Sequence, residues 1–89
     1  GQQHVSRLEA HAPHRPAHDG PVRRVRFEAR HMLLTCGEDG FVKRWNLPSR
    51  QGVSIGSHDN FATDVLPTRS GGWISCGYDG RILVHGDKG

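Results

Sequence analysis

A chain of 89 residues forms one small domain or a piece of a larger one. Its 12 glycines and an apolar share of 34% favour short strands and tight turns over a helical bundle. The net charge of +3 is too small to indicate nucleic-acid binding alone, and the arginines are scattered along the chain. No apolar run reaches the roughly 18 residues of a membrane-spanning helix, so no membrane partner is expected.

In chain order, the first predicted strand is "HVSRLEA" (4–10), which we interpret as the fourth strand of a preceding unit. The Pro-containing segment 11–17 follows and is interpreted as an inserted loop. Next come runs of β-forming residues separated by turn signals, and they predict strands at 22–27, 31–36, 41–47 and 52–56. Asp39-Gly40 is a strong hairpin signal, because glycine accepts a positive φ without a Cβ clash.

The rest of the chain repeats this plan, with strands predicted at 62–66, 72–76 and 81–85. A shift of 40 residues aligns His18-Asp19 with His58-Asp59, Cys36-Gly37 with Cys76-Gly77, and Asp39-Gly40 with Asp79-Gly80, without a gap. Four-stranded units with a period of about 40 residues are the sequence sign of a β-propeller. We therefore predict an all-β fold of two four-stranded antiparallel propeller blades, which together form an incomplete propeller.

At the aligned positions the sequence resembles the WD-repeat β-propeller family. That family has a His near the start of each repeat, a Ser or Thr in the second strand, an Asp in the next turn and a Trp in the third strand. The first unit supplies His18, Thr35, Asp39 and Trp45, with Asn46 where the family usually has Asp. The second unit supplies His58, Ser75 and Asp79, with His85 in place of Trp.

The resemblance covers residues 18–86 and implies two consecutive repeats, interpreted as the last two blades of a ring. The predicted organisation has three parts. They are a strand of a preceding blade plus the inserted loop (1–17), a WD-repeat blade (18–57) and a second, degenerate blade (58–89). Propellers typically have about four to eight blades, so two cannot close a ring. Further sequence of a longer protein, self-association of several copies, or a partner chain could complete it.

A His, a hydroxyl, a carboxylate and an indole N–H can form one hydrogen-bond chain, and the resemblance implies that this network is structural. A hydrolase triad uses similar residue types. However, Thr35 and Ser75 lie within predicted strands and lack the sharp turn that exposes a nucleophile. We therefore predict no catalytic residue and no enzymatic activity.

Two other chemistries are weaker interpretations. One alternative is a metal site formed by His11, His14 and His18, with His31 or His4 as a further ligand. It is the weaker interpretation, because His18 is already assigned to the hydrogen-bond network and a Pro-rich loop holds metal ligands poorly. Neither a metal nor any other cofactor is expected. Cys36 and Cys76 occupy equivalent strands of separate sheets, so we predict buried free thiols that do not bond to each other.

The predicted function is a non-enzymatic scaffold that binds protein partners as a subunit of an intracellular complex, cytoplasmic or nuclear. The alternative is a nucleic-acid-binding propeller in a ribonucleoprotein or chromatin complex, although nucleic acid is not the expected partner. The resemblance places family contacts on one rim of the ring. The matching residues are Pro21, Arg23 and Glu38 in the first unit, and Phe61, Thr63 and Tyr78 in the second. Arg and Tyr are favoured interface anchors, whereas Phe61 could instead cover the end of its own blade.

Overall fold

The computed structural model of the chain describes residues 17–86, which contain seven β-strands. The strands are β1 (Val22–Ala29), β2 (Met32–Gly37), β3 (Phe41–Asn46), β4 (Gln51–Ser57), β5 (Ala62–Pro67), β6 (Trp73–Gly77) and β7 (Ile82–His85). The predicted ends differ from these bounds by at most two residues. The predicted strand at 4–10 and residues 11–16 of the predicted loop lie outside the described residues.

The strands form two antiparallel sheets in which each strand pairs with the next one along the chain. The first sheet has the order β1-β2-β3-β4, and the second has the order β5-β6-β7. The predicted all-β fold of incomplete propeller blades is confirmed, with three described strands in the second sheet where four were predicted. Tight turns join the second and third strands of each sheet. There Gly40 (φ 87°) and Gly80 (φ 80°) adopt the left-handed conformation that their Asp-Gly sequences predict.

The hydrophobic core lies between the two sheets. Successive side chains of a strand point to opposite faces, so Leu34 and Cys36 of β2 face the second sheet whereas Leu33 and Thr35 do not. The buried cluster consists of Leu34, Cys36 and Val42 from the first sheet and Ala62, Val65 and Trp73 from the second. Ile55 and Leu83 are partly buried against it. The sheets therefore pack face to face, as neighbouring propeller blades do.

Both cysteines are free in the structure, and the absence of a bond between them in solution stays a prediction. Cys36 is buried in the core between the sheets, and burial followed by the nearby Asp64 charge raises the pKa of its thiol to about 12. The prediction that both thiols are buried is wrong for Cys76, which is half-exposed. Cys76 lines a hollow of about 200 Å³ with Leu66, Ile74 and Ile82, on the face of the second sheet that no other described element covers.

Candidate functional site

The first sheet brings the four predicted network residues together in one hydrogen-bonded chain. His18 Nδ1 lies 2.9 and 3.1 Å from the two carboxylate oxygens of Asp39. Its Nε2 lies 2.7 Å from Thr35 Oγ1. The indole N–H of Trp45 donates to the same hydroxyl oxygen over 2.9 Å. The chain thus connects the segment before β1 with β2, the β2–β3 turn and β3.

The donors and acceptors of this chain fix its direction. The ionised carboxylate of Asp39 can only accept, so a neutral His18 carries its hydrogen on Nδ1 and donates it to Asp39. Its Nε2 then accepts the hydroxyl hydrogen of Thr35, whose Oγ1 accepts the indole N–H of Trp45. Every polar atom in the chain is satisfied, which matters because Thr35 and His18 are each only 2% exposed.

The carboxylate at the end of the chain also binds the backbone. Asp39 accepts hydrogen bonds from the N–H groups of Asp19 and Phe41, both over 3.0 Å. Burial alone would raise the pKa of Asp39, but these backbone hydrogen bonds and the one from His18 outweigh it and lower the pKa below its ordinary value. An ionised Asp39 therefore anchors both the start of the unit and the tight turn.

The second sheet repeats this arrangement with three members instead of four. His58 Nδ1 lies 3.0 Å from Asp79, and its Nε2 lies 2.7 Å from Ser75 Oγ. Burial would raise the pKa of Asp79, but the backbone N–H groups of Asp59 and Arg81 and the imidazole of His58 lower it to about 2. The ring of His85 is not part of this chain.

His85 instead stacks on Trp73, with ring centroids 5.1 Å apart. Trp73 is its cross-strand neighbour in β6, just as Leu33 is the neighbour of Trp45 in the first sheet. The large aromatic ring has therefore moved from the third strand to the second. Its indole N–H is buried without a hydrogen-bond partner among the described residues. The second repeat thus retains a large buried aromatic ring but lacks the indole N–H that donates to the strand hydroxyl in the first repeat.

The glycine after each cysteine makes room for the network histidine. A Cβ on Gly37 would lie 3.1 Å from the His18 ring and 2.8 Å from Pro21 O. A Cβ on Gly77 would lie 3.0 Å from the His58 ring and 2.4 Å from Phe61 O. Sequence reasoning assigned these glycines no role, although the repeated Cys-Gly pair was the available signal.

Four of the six predicted contact residues form one cluster at the rim where the two sheets meet. Arg23 Nη1 donates to Glu38 over 2.8 Å, and Nη2 donates to the hydroxyl of Tyr78 over 3.2 Å. The guanidinium lies 5.8 Å from the Tyr78 ring centroid and 5.9 Å from that of Phe61. The two rings are themselves 5.4 Å apart. We call Arg23, Glu38, Phe61 and Tyr78 the rim cluster.

The rim cluster is open to solvent and crosses the boundary between the sheets. Tyr78 is 61% exposed, and the side chains of Arg23 and Glu38 are 36% and 23% exposed. Phe61 is half-buried and contacts both Tyr78 of its own sheet and Arg23 of the other sheet. It therefore does more than cover the end of its own blade. Charged and aromatic groups held together at one rim suit recognition of another surface.

The other two predicted contact residues lie beside the rim cluster. Pro21 is exposed, and its carbonyl accepts the N–H of Glu38 over 2.9 Å. Phe61 makes the equivalent bond in the second sheet, where its carbonyl accepts the N–H of Tyr78 over 2.9 Å. Thr63 is half-buried, and its hydroxyl donates to the carbonyl of Cys76 over 3.3 Å. Thr63 thus bonds within its own sheet.

Sequence reasoning missed the ion pairs that join the sheets. Arg24 and Arg26 both reach Asp64, over 3.1 and 3.2 Å. Arg24 and Asp64 are equivalent positions of the two repeats, and adjacent blades bring equivalent positions side by side. The change from a positive to a negative residue at that position was therefore the available signal. Burial would raise the pKa of Asp64, but the backbone N–H of Val65 and the two arginines lower it.

Arg44 of β3 also has a partner. It binds Glu28 through two hydrogen bonds of 2.7 Å, which raise its pKa above the ordinary value. Among residues 17–86 no group of three or more His, Cys, Asp or Glu side chains is arranged to hold a metal ion. His4, His11 and His14 of the alternative metal site lie outside that range. No helix that could cross a membrane occurs in the described part of the chain.

Two packed antiparallel sheets, each with a His–hydroxyl–Asp network, define a repeat protein of the β-propeller class. The family model "WD domain, G-beta repeat" matches residues 3–46. Together with the matching relatives, this confirms the resemblance seen in the sequence: the chain belongs to the WD-repeat family.

Two curated relatives are similar to the chain. It is 35% identical to a "Ribosome biogenesis protein WDR12 homolog" of Chlamydomonas reinhardtii over 82 residues, which cover 76% of this chain. It is 35% identical to a "Mitotic checkpoint protein BUB3.3" of Arabidopsis thaliana over 57 residues, which cover 63% of this chain. The chain spans 18% of the length of each relative. No solved structure matches it.

Proposed function

We propose that the chain is a non-enzymatic protein-interaction scaffold whose rim cluster is the contact surface for a protein partner. The observation that carries the proposal is the solvent-accessible cluster of Arg23, Glu38, Phe61 and Tyr78, to which both sheets contribute. Such a surface exists only when the two blades are packed, so partner binding depends on the assembled fold. WD-repeat proteins generally act as interaction scaffolds, which supports this reading.

The chemistry of the site favours binding over catalysis. Thr35 and Ser75 are the hydroxyls beside the imidazoles, and each is only 2% exposed. A hydrolytic nucleophile must reach its substrate, and these side chains are enclosed by their own networks. The rim cluster instead presents an arginine and two aromatic rings, with a carboxylate that holds the arginine; arginine and aromatic residues are the types that anchor protein interfaces.

The setting of this scaffold is a multi-protein complex. The relatives named for ribosome biogenesis and for the mitotic checkpoint support an intracellular location, cytoplasmic or nuclear. The remaining blades come from further sequence, from a partner chain or from additional copies of this chain. The chain spans only 18% of the length of these relatives, so a protein partner is proposed for it by class and not by name.

The test is affinity capture followed by quantitative binding. Tagged chain carrying Arg23→Ala or Tyr78→Ala is compared with the unmodified chain, and captured proteins are identified by mass spectrometry. Each purified partner is then titrated by calorimetry. We expect each substitution to weaken binding by about 1 kcal/mol or more, with little change in Tm.

Arg69→Ala is the matched control, because Arg69 is an exposed arginine in the β5–β6 connection, at the far end of the second sheet. It should leave partner affinity unchanged. Normal binding by both rim variants, with the fold intact, would place the protein contact on another face. An equal loss from Arg69→Ala would also contradict the proposal.

A further inference from the structure

The connections between strands alternate between two ends of the molecule, because every strand pair is antiparallel. One end carries both network histidines and the connections 17–21, 38–40, 58–61 and 78–81, and we call it the network end. The opposite end carries the connections 30–31, 47–50 and 68–72. The rim cluster belongs to the network end.

Charge is segregated between these two ends. The connections of the network end carry the carboxylates Asp19, Glu38, Asp39, Asp59 and Asp79 and one arginine, Arg81. The described connections of the opposite end carry Arg30, Arg50 and Arg69 and no carboxylate. Within residues 17–86 the small net charge is therefore unevenly distributed, and the opposite end is basic.

The carboxylates of the strands do not neutralise the basic end. Within residues 17–86 only Glu28 and Asp64 are acidic outside the connections. Glu28 is bound by Nε and Nη2 of Arg44, and Asp64 by Arg24 and Arg26. Arg30 and Arg69 are exposed and have no ion-pair partner among the described residues. Their charge is thus available to a ligand.

The two ends also differ in their uncharged residues. The described opposite-end connections contain no Phe, Tyr or Trp, whereas the rim cluster contains two aromatic rings. Their exposed uncharged side chains include the hydroxyls Ser49 and Ser70. Gly71, with φ 89°, leaves open space where a Cβ would stand, so the backbone of that turn can be approached closely, as can that of Gly80 at the network end. Arginines, hydroxyls and open backbone are the groups that contact phosphate, while protein interfaces need apolar anchors.

We propose that the opposite end, defined by Arg30, Arg50 and Arg69 and called the basic rim, binds the phosphate backbone of a nucleic acid without sequence preference. This surface is separate from the rim cluster, so one scaffold can hold a protein at one end and a nucleic acid at the other. Arginine is suited to this role because its planar guanidinium can bind two phosphate oxygens at once.

The salt dependence of binding follows from the number of arginines. Each phosphate contact on a single strand contributes about −0.7 to the slope of log K against log salt. The two contacts of Arg30 and Arg69 give a slope of about −1.4, which corresponds to about sevenfold weaker binding between about 50 and 200 mM salt. Contacts are few, so the affinity of these two blades alone is modest.

The experiment titrates the full chain into a fluorescently labelled oligouridylate of about 20 nucleotides at several salt concentrations. Arg30→Gln and Arg69→Gln are measured separately, and each should weaken binding about fivefold and reduce the slope by about 0.7. Arg81→Gln is the matched control, because it removes the same charge from an exposed arginine of the network end. It should change neither the affinity nor the slope.

Several outcomes overturn the proposal. Equal losses from Arg81→Gln would mean that the net charge alone attracts the oligonucleotide. Absence of binding at the lowest salt, or binding that does not respond to salt, would exclude a phosphate site. If polyglutamate competes as well as unlabelled oligonucleotide, the basic rim recognises an acidic protein segment instead. Circular dichroism of each variant checks that its fold is intact.

Discussion

At the residue scale, each side chain of the first blade's hydrogen-bond network supplies a donor or acceptor that no other member of the network supplies. Trp45 is the only member that both fills the face of the sheet and donates a hydrogen bond to Thr35. The second blade separates these two tasks, since Trp73 fills space while its N–H finds no partner among the described residues. The two blades therefore differ in whether the network includes the hydrogen bond from an indole N–H to the strand hydroxyl.

We expect Trp45→Phe to destabilise the first blade by about 1–3 kcal/mol, because it keeps most of the ring but removes the donor to the buried Thr35 hydroxyl. The free energy of unfolding is measured by chemical denaturation. His85→Phe is the control, since His85 makes a ring contact but belongs to no described network. Equal losses from the two substitutions, or no loss from Trp45→Phe, would contradict a stabilising role for the network.

Sequence reasoning could identify the network members because the repeat aligns them without a gap. Residue types with obvious donors and acceptors, at equivalent positions of two strands and a turn, leave few other arrangements. The steric role of Gly37 and Gly77 could not be derived in the same way. It depends on how closely the imidazole approaches the backbone of β2 and β6, and that distance is known only once the segment before each sheet is folded.

At the scale of elements, the turns after β2 and β6 are held by carboxylates that must be ionised. Asp39 and Asp79 accept backbone N–H groups from both sides, and each binds an imidazole. Their pKa values lie below the ordinary value, that of Asp79 at about 2. Protonation of the Asp in either turn would therefore weaken its hydrogen bonds to the segment before the sheet, to the turn itself and to the network histidine.

Acid should weaken the second blade in a defined pH window. The unfolded state binds a proton near pH 4, whereas folded Asp79 does so only near pH 2. Its contribution is therefore present above about pH 4 and is lost as the pH falls through about 2. Chemical denaturation of the chain and of Asp79→Asn should show a difference that is full at pH 6 and shrinks between these values. A difference that is independent of pH would contradict the role of the charge.

Strand positions were predictable to within two residues because β-forming runs alternate with Asp-Gly and Pro-containing turns. The partners of the strand arginines were not predictable, since they depend on which sheet faces lie together. Arg24 and Arg26 meet Asp64 only because the first strands of the two sheets pack side by side. A charge change at equivalent positions becomes meaningful once that packing is known.

At the scale of the whole molecule, the core between the sheets accounts for only part of the apolar surface. Leu34, Val42 and Val65 are buried between the sheets. Val25 and Phe27 of the first sheet are 52% and 66% exposed. On the second sheet Ile82 is 72% exposed, beside the hollow lined by Ile74 and Leu66. Within the described residues, each sheet thus covers one face and leaves apolar side chains on the other.

We therefore expect the isolated chain not to be a stable monomer, because solvent-exposed apolar faces favour association. Light scattering combined with size-exclusion chromatography should find a closed multimer, aggregates or partial unfolding. Ile82→Lys, which places a charge on the exposed face of the second sheet, should reduce any association through that face. A monodisperse monomer that melts cooperatively would contradict the two-blade interpretation.

The distribution of charge is the property of the whole molecule that the sequence revealed least. The arginines look scattered when they are read along the chain, and a net charge of +3 excludes little. Antiparallel pairing sends alternate connections to opposite ends, and only this sorting reveals a basic rim. The fold class could therefore be predicted from local sequence patterns, whereas the distribution of charge could be recognised only once the strand topology was known.

The placement of the two indoles gives each blade its own optical signal. Trp45 lies in the first sheet on the face turned away from the second, and Trp73 lies in the core between the sheets, 2% exposed. Separation of intact sheets would hydrate Trp73 and shift its fluorescence emission to longer wavelength. Loss of the first sheet would change the emission of Trp45 as well. A variant with Trp73→Phe keeps Trp45 and the first network, so comparing its emission with that of the unmodified chain would distinguish undocking of the blades from unfolding of the first blade, without any added label.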